Sequence, residues 1–193
     1  MGELISGRDH AKPFELRRCL IAVAGPNLSG KTTLANSLSK ALAVPILDID
    51  EGWRNKWGSL ENRPPMPEVY AYNHQRALPY LAENKPVIIV ATYSQPAYHE
   101  MLDNFARESQ SPLRVFHNLP TDIEETKRRL EKRLSDPNDL SDVRTLNQVL
   151  EIQSHYHPIS NHPNIWVMEI DGTRLQEENV AKIITSLSDL RKD

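Results

Sequence analysis

Gly25-Pro26-Asn27-Leu28-Ser29-Gly30-Lys31-Thr32, with Thr33 behind it, is the stretch on which the reading of this chain turns. It satisfies G-x-x-x-x-G-K-[ST] in full. From average residue usage, a chance match in a chain this long is on the order of one in a hundred. The flanks agree with the octapeptide: an apolar run, 20–24, enters it, and an amphipathic stretch, 31–42, leaves it. That is the order strand, turn, helix. The amide N–H groups of such a turn form a concave nest for an anion, and the helix starting at Lys31 aims its positive end at the same point. The spacing carries Lys31 to the β and γ phosphates of a nucleotide and offers the Thr32 hydroxyl to Mg2+. Gly25, Pro26, Asn27, Leu28, Ser29, Gly30, Lys31, Thr32 and Thr33 are therefore the expected nucleotide-binding residues. Glycine is scarce elsewhere: two of the chain's 7 fall inside this octapeptide, where backbone must approach a ligand closely. The plainer alternative is a glycine turn that merely joins a strand to a helix.

Outward from the loop, short apolar runs alternate with longer amphipathic stretches, the pattern of a parallel sheet wrapped by helices. The runs are 19–24, 45–49, 87–92, 113–116 and 165–170. Helical spacing marks 31–42, 67–83, 95–109, 121–134, 143–154 and 175–190. Pro79 is expected to kink or split the second of these. The segments 55–67 and 135–142, rich in breakers, read as the flexible pieces. The expected fold is α/β, three-layered, with five strands in one domain over 1–193 and a polar extension at 1–17.

Composition narrows the function. The chain has 193 residues, 39% of them hydrophobic and 25% charged, with Lys+Arg 23 against Asp+Glu 26. A formal net charge of -3 argues against a broad basic face for sequence-blind nucleic-acid binding, not against a small phosphate pocket. The single cysteine, Cys19, excludes an intrachain disulfide framework and reads as a buried apolar filler. No apolar run approaches the roughly 18 residues of a membrane span, and the polar start does not read as a signal peptide. A cytoplasmic protein, monomer or homodimer, is expected. His155 and His157 bracket Tyr156 without an acidic partner at metal-ligand spacing.

The second apolar run closes on Asp48 and Asp50. Read as strand positions two apart, both carboxylates project from one face, at the carboxyl edge where open α/β sheets bind ligands. Phosphoryl transfer to a hydroxyl needs a group that orients the acceptor and takes its proton, with charge near Mg2+. Asp50 is assigned to the acceptor and Asp48 to the metal or its water shell. Solvated turn aspartates or a helix N-cap are the alternative. Arg54, with Trp53, Lys56 and Trp57 around it, follows on the same segment. Its guanidinium suits an anionic group of the acceptor, and Trp53 and Trp57 suit a ring. Packing on neighbouring helices is the plain alternative for all three.

The stretch 121–134 carries Lys127, Arg128, Arg129, Lys132 and Arg133 interleaved with Glu124, Glu125 and Glu131. Pairs of Glu124 with Arg128 and of Glu125 with Arg129 describe a salt-bridged surface helix. Arg129 and Arg133, one turn apart on one face, also suit a lid over nucleotide phosphates, with Arg133 beside the transferred group. Residues 121–158 form the expected lid region, with Ser141 or Asp142 capping its second helix. Lys31, Asp50 and Arg133 are the expected catalytic residues.

With the loop, the Asp48-Ile49-Asp50 step and the Arg129/Arg133 helix in that order, the chain resembles the small P-loop kinases. This group takes in gluconate kinase, shikimate kinase, polynucleotide 5'-kinase and the zeta-toxin-like branch. The resemblance runs from about Cys19 onward, and only the phosphate loop is highly specific. It implies strand order 2-3-1-4-5, a helical lid, ATP as donor and Mg2+ as cofactor. It also implies Asp50 as acceptor-side base and Arg54 as acceptor anchor. Ile170-Asp171-Gly172-Thr173 resembles the turn beside the adenine. One departure stands out: the third strand of the zeta-toxin-like branch often ends in an aspartate before Ala-Thr, where Val90 precedes Ala91-Thr92 here.

The expected activity is therefore transfer of the γ-phosphoryl of ATP to a hydroxyl of a small molecule or nucleoside-type acceptor. A polynucleotide 5'-hydroxyl kinase and a nucleotide-binding regulatory protein without turnover are the alternatives. A GTPase lacks its Asn-Lys-x-Asp reader: Asn55-Lys56 runs into Trp57-Gly58, and Asn84-Lys85 into Pro86-Val87. A motor ATPase would need an acidic strand end that, of the five runs, only the second offers.

Overall fold

The computed structural model of the chain describes residues 15–136 and 143–191. Five parallel strands form one sheet: β1 (Leu20–Ala24), β2 (Ile46–Asp48), β3 (Val87–Val90), β4 (Leu113–Asn118) and β5 (Val167–Ile170), in the order β2-β3-β1-β4-β5. That is the order the resemblance implied. β1 lies centrally, paired with β3 and β4, and all five of its residues are buried. A strand buried on both faces needs no polar alternation, which is why its run is continuously apolar. Its side chains still sort by parity. Leu20, Ala22 and Ala24 enter one core with Trp53, Val69, Leu81 and Leu102, while Ile21 and Val23 enter another with Leu34, Leu38 and Ile183. Two apolar layers therefore lie on either side of the sheet.

The first core is covered by α2 (Ile49–Trp57), α3 (Met66–Ala82) and α4 (Pro96–Glu108), the second by α1 (Lys31–Leu42) and α7 (Gln176–Ser186). Leu16 belongs to the second core, and its bridge to Arg191 ties the end of the expected polar extension to the chain's far end. Residues 1–14 lie outside the described residues. A third cluster joins Leu28 of the phosphate loop to Leu130 of α5 (Ile123–Leu134) and Val149 of α6 (Leu146–Ser154). No helix among the described residues is long and apolar enough to cross a membrane.

Three local expectations change. Helix α3 runs unbroken through Pro79, which sits in its last turn. There proline removes a single bond to the preceding turn, and Glu83 N–H still reaches the Pro79 carbonyl at 3.2 Å. Residues 55–67 are largely ordered into helix: α2 extends to Trp57, and a 3-10 turn spans Leu60–Asn62. Helix α6 starts at Leu146 rather than 143, because Thr145 and Gln148 close a capping box. Ser141 and Asp142, expected as caps, lie outside the described residues, as does most of 135–142.

Candidate active site

The phosphate loop connects β1 to α1 with three residues at positive φ: Gly25 (140°), Leu28 (64°) and Gly30 (92°). Gly25 has no room for a side chain, since a Cβ there would strike the Asn118 carbonyl oxygen. Gly30 caps α1 without any side-chain bond, and no acidic residue occupies the helix's first turn. The N-terminal amides are therefore left to an anion. The Lys31 ammonium folds back on its own loop, donating to the Pro26 carbonyl at 2.8 Å. Burial pulls its pKa down to about 8, while the nearby Asp50 and Asp48 carboxylates support the charge and Arg133 opposes it. The ammonium thus feels the charges of both aspartates and of the α5 arginine.

Three long-range contacts hold the loop's outer wall. Asn118, at the end of β4, donates its amide to the Ser29 carbonyl at 3.1 Å. Arg129 donates to the Leu28 carbonyl at 2.9 Å and to the Gly172 carbonyl at 2.7 Å, and Glu125 fixes it at 2.6 Å. Gln153 of α6 reaches the Asn27 carbonyl at 3.4 Å. Arg129 and Arg133 both line a cleft of about 720 Å3 with Lys31, Thr32, Thr33 and Gly172. The structure thus brings the two arginines to the phosphate loop, and Gly172 as well. On the outer face of α5, Glu124 pairs with Lys127 rather than Arg128, and Glu125 takes both Arg128 and Arg129.

The acidic pair is arranged differently from the strand reading. β2 stops at Asp48, so Asp50 belongs to the first turn of α2 and strand parity does not relate the two carboxylates. Asp48 is the N-cap: its Oδ1 accepts from the amides of Asp50 (2.8 Å) and Glu51 (3.4 Å). Burial and the neighbouring Asp50 charge raise its pKa, against those two amides and Lys31. Asp50 is exposed and accepts the Trp53 indole N–H at 3.3 Å. Trp53 is only 2% exposed and belongs to the first core, so burial fixes it against the sheet. Arg54 lies over that ring, 4.5 Å from its centroid, and donates to the Asp50 carbonyl at 3.3 Å. Trp57 packs edge-on against Tyr72 at 5.2 Å, one turn farther along α2.

Sequence reasoning missed Asn118, Arg76 and Tyr93. Arg76 of α3 donates to the Asp48 carbonyl and to Asn73, pinning the end of β2. Tyr93, buried at φ 46°, follows β3; its N–H donates to the Tyr70 hydroxyl at 2.9 Å and its carbonyl contacts His99 at 2.7 Å. Only the place of Asn118 at the end of an apolar run could have signalled its role. Away from this edge, Glu100, Asp103 and His162 bring ligand-type atoms within 4.8 Å of one another. The Asn164 amide donates to His162 Nδ1, however, so Nε2 keeps the proton that faces Glu100.

A parallel sheet in this order with a G-x-x-x-x-G-K-T loop between β1 and α1 defines a P-loop kinase-like fold. The family model of the AAA domain matches residues 20–159, and the chain belongs to that family. No curated protein matches it. Among solved structures, a gluconokinase from Sinorhizobium meliloti 1021 is 15% identical with a TM-score of 0.61, covering 90% of this chain and 93% of its own. Kti12 from Chaetomium thermophilum, in complex with ADP-AlF3, is 16% identical with a TM-score of 0.65, covering 90% and 100%. Shikimate kinase from Aquifex aeolicus is 20% identical with a TM-score of 0.53, covering 88% and 96%. At these identities the likeness is one of fold.

Proposed function

We propose that this protein is an ATP-dependent kinase that moves the γ-phosphoryl group to a hydroxyl of a small-molecule or nucleoside-type acceptor. The observation that carries the reading is the place of Lys31, bonded to the Pro26 carbonyl of the phosphate loop at 2.8 Å and lining one cleft with Thr32, Arg129 and Arg133. Binding exchanges the Pro26 carbonyl for the nucleotide's β and γ oxygens as partners of Lys31. The loop amides and the uncapped end of α1 hold the same oxygens. Asp50, exposed in the first turn of α2, orients the acceptor hydroxyl and receives its proton. As that oxygen bonds to the γ phosphorus, the bond to the β-bridging oxygen breaks and its electron pair leaves with ADP. Arg133 offsets the charge that spreads over the transferred group.

Mg2+ would add charge neutralisation between the β and γ phosphates. The residues suited to hold it are Thr32, through its hydroxyl, and Asp48. Both cap bonds fall on Asp48 Oδ1, so its Oδ2 is the oxygen suited to a metal-bound water.

The test incubates the protein with γ-labelled ATP, Mg2+, a panel of hydroxylated metabolites and a 5'-hydroxyl oligonucleotide. Transfer to one small acceptor, lost in Lys31→Ala and Asp50→Asn, is the expected result. Label on the oligonucleotide alone would make the protein a polynucleotide kinase. Val90, paired in register with Asp48 where a third-strand carboxylate would add metal charge, favours one second reading: a nucleotide-binding protein without turnover. Mg2+-dependent nucleotide binding with no transfer to any acceptor would establish it.

A further inference from the structure

We propose that Arg129 is a positioning residue: it clasps the phosphate loop to the turn between β5 and α7, and so sets the loop's grip on a triphosphate without touching it. The inference goes beyond the acceptor chemistry and rests only on the reading of the cleft as a nucleotide site. All three guanidinium nitrogens donate to protein. Nε reaches Glu125 at 2.6 Å, Nη1 the Leu28 carbonyl at 2.9 Å and Nη2 the Gly172 carbonyl at 2.7 Å. The charge is thus paired within its own helix, and the other two bonds join segments remote in sequence.

The loop needs such a hold. Leu28 sits at φ 64°, in the left-handed region that a leucine enters only at a cost. Its carbonyl shares a peptide plane with the Ser29 N–H. That N–H closes on the Pro26 carbonyl at 3.3 Å, the same oxygen that seats the Lys31 ammonium at 2.8 Å. Arg129 therefore fixes the plane on which the seat of Lys31 depends. A strained residue persists where its surroundings over-determine it. Leu28 is held twice, its carbonyl by Arg129 and its side chain by Leu130 and Val149.

The other jaw is fitted to the same guanidinium. A Cβ on Gly30 would stand 3.3 Å from Nη1 and one on Gly172 3.6 Å, so the planar group lies against both glycines. A Cβ on Gly172 would also strike the Ser29 carbonyl oxygen, which Asn118 holds at 3.1 Å. The turn expected beside the base thus bears directly on the phosphate loop. Only a rigid fork spans two carbonyls and a carboxylate at once; an ammonium is a point charge. The consequence is specific: a substitution in the base turn should weaken a ligand that has no base.

The experiment titrates the full chain with Mg2+ by calorimetry, using a non-hydrolysable ATP analogue and inorganic tripolyphosphate. Arg129→Lys, which keeps the charge and loses the fork, should weaken both about ten-fold, the worth of a hydrogen bond from a charged group. Gly172→Ala, which alters no charge, should weaken tripolyphosphate to a similar degree. The double variant should lose little more than either single one, because both break one clasp. Melting curves confirm that each variant is folded at the temperature of titration.

Unchanged tripolyphosphate affinity in Arg129→Lys would show that charge alone suffices. A loss confined to the ATP analogue would place the residue at the base, and additive losses would separate Arg129 from the turn. Each of these overturns the inference and leaves the nucleotide site standing. Should Arg129→Lys not fold, Gly172→Ala decides alone, since a turn that only borders the base leaves tripolyphosphate binding unchanged. If the unsubstituted protein binds neither ligand, the nucleotide reading falls and takes this inference with it.

Discussion

Lys31 is held by burial at a pKa of about 8, well below the 10.5 of a free lysine. Nucleotide phosphates bring negative charge to the ammonium and must raise that value. Near pH 9, nucleotide binding should therefore take up protons, read by calorimetry in buffers of different ionisation enthalpy. Lys31→Met should abolish the uptake; the same uptake in the mutant would place the proton elsewhere. The sign for stability is opposite to that of a salt-bridged lysine. Between pH 8 and 10.5 the unfolded chain holds the extra proton, so the cost of burying Lys31 is relieved as pH rises through that window.

Asp48 and Asp50 separate at the same scale. Asp48 caps α2 through two amides, so Asp48→Ala should lower stability by about 1 kcal/mol and raise the Mg2+ requirement. Asp50 has no such duty, and an asparagine there can still accept the Trp53 indole N–H. Asp50→Asn should bind nucleotide nearly normally and transfer phosphate orders of magnitude more slowly. Paired denaturation curves and Mg2+ titrations of the two variants decide it. A loss of metal-dependent binding in Asp50→Asn, with only turnover lost in an Asp48→Asn variant, would swap the assignments.

Among the elements, α5 and α6 are bound to the phosphate loop by its own side chain and carbonyls. Leu28 packs on Leu130 and Val149, and Arg129 and Gln153 take the carbonyls of Leu28 and Asn27. Leu28→Ala should remove the centre of that small cluster at about 2 kcal/mol, the low end for a leucine with so few neighbours. The loss should appear as faster proteolysis within 121–158 before any change in global unfolding. Equal acceleration across the chain would mean that these helices do not open separately. Arg133→Ala should lower kcat more than it raises the KM for ATP, as for a contact that strengthens when the γ-phosphoryl leaves. A stability loss with normal kinetics would make α5 a salt-bridged helix and nothing more.

At the scale of the molecule, the first core is polar at its centre. Tyr93 joins Tyr70 and His74, and His74 stacks on Phe105 at 4.8 Å. Burial drives the His74 pKa from 6.5 to about 4, and lowers His99 and His117 as well. As pH falls from 6.5 towards 4 the unfolded chain binds these protons first, so stability should decline across that window. His74→Gln should flatten the decline in a plot of Tm against pH. An unchanged slope would assign the acid sensitivity to the other histidines or to the carboxylates.

The strands, α1 and the phosphate loop were legible in the sequence because each is determined by neighbours a few residues away. Apolar runs and 3.6-residue spacing report local burial, and the octapeptide carries its own turn and cap. Sheet order was not readable from those patterns and came from the resemblance. The strand end at Asp48 was misread because its cap bond to the Asp50 amide opens a helix there, so alternation no longer applies. Pro79 does not split its helix, because the effect of a proline depends on its distance from a helix end that only packing determines. The rest of the site is made by residues far apart in the chain: Asn118 on Ser29, and Arg129 on Leu28 and Gly172. Each carries an ordinary polar side chain with no periodicity of its own. What brings them to one edge is the parallel sheet, which gathers the carboxyl ends of strands remote in sequence, and that gathering exists only once the two cores have closed on it.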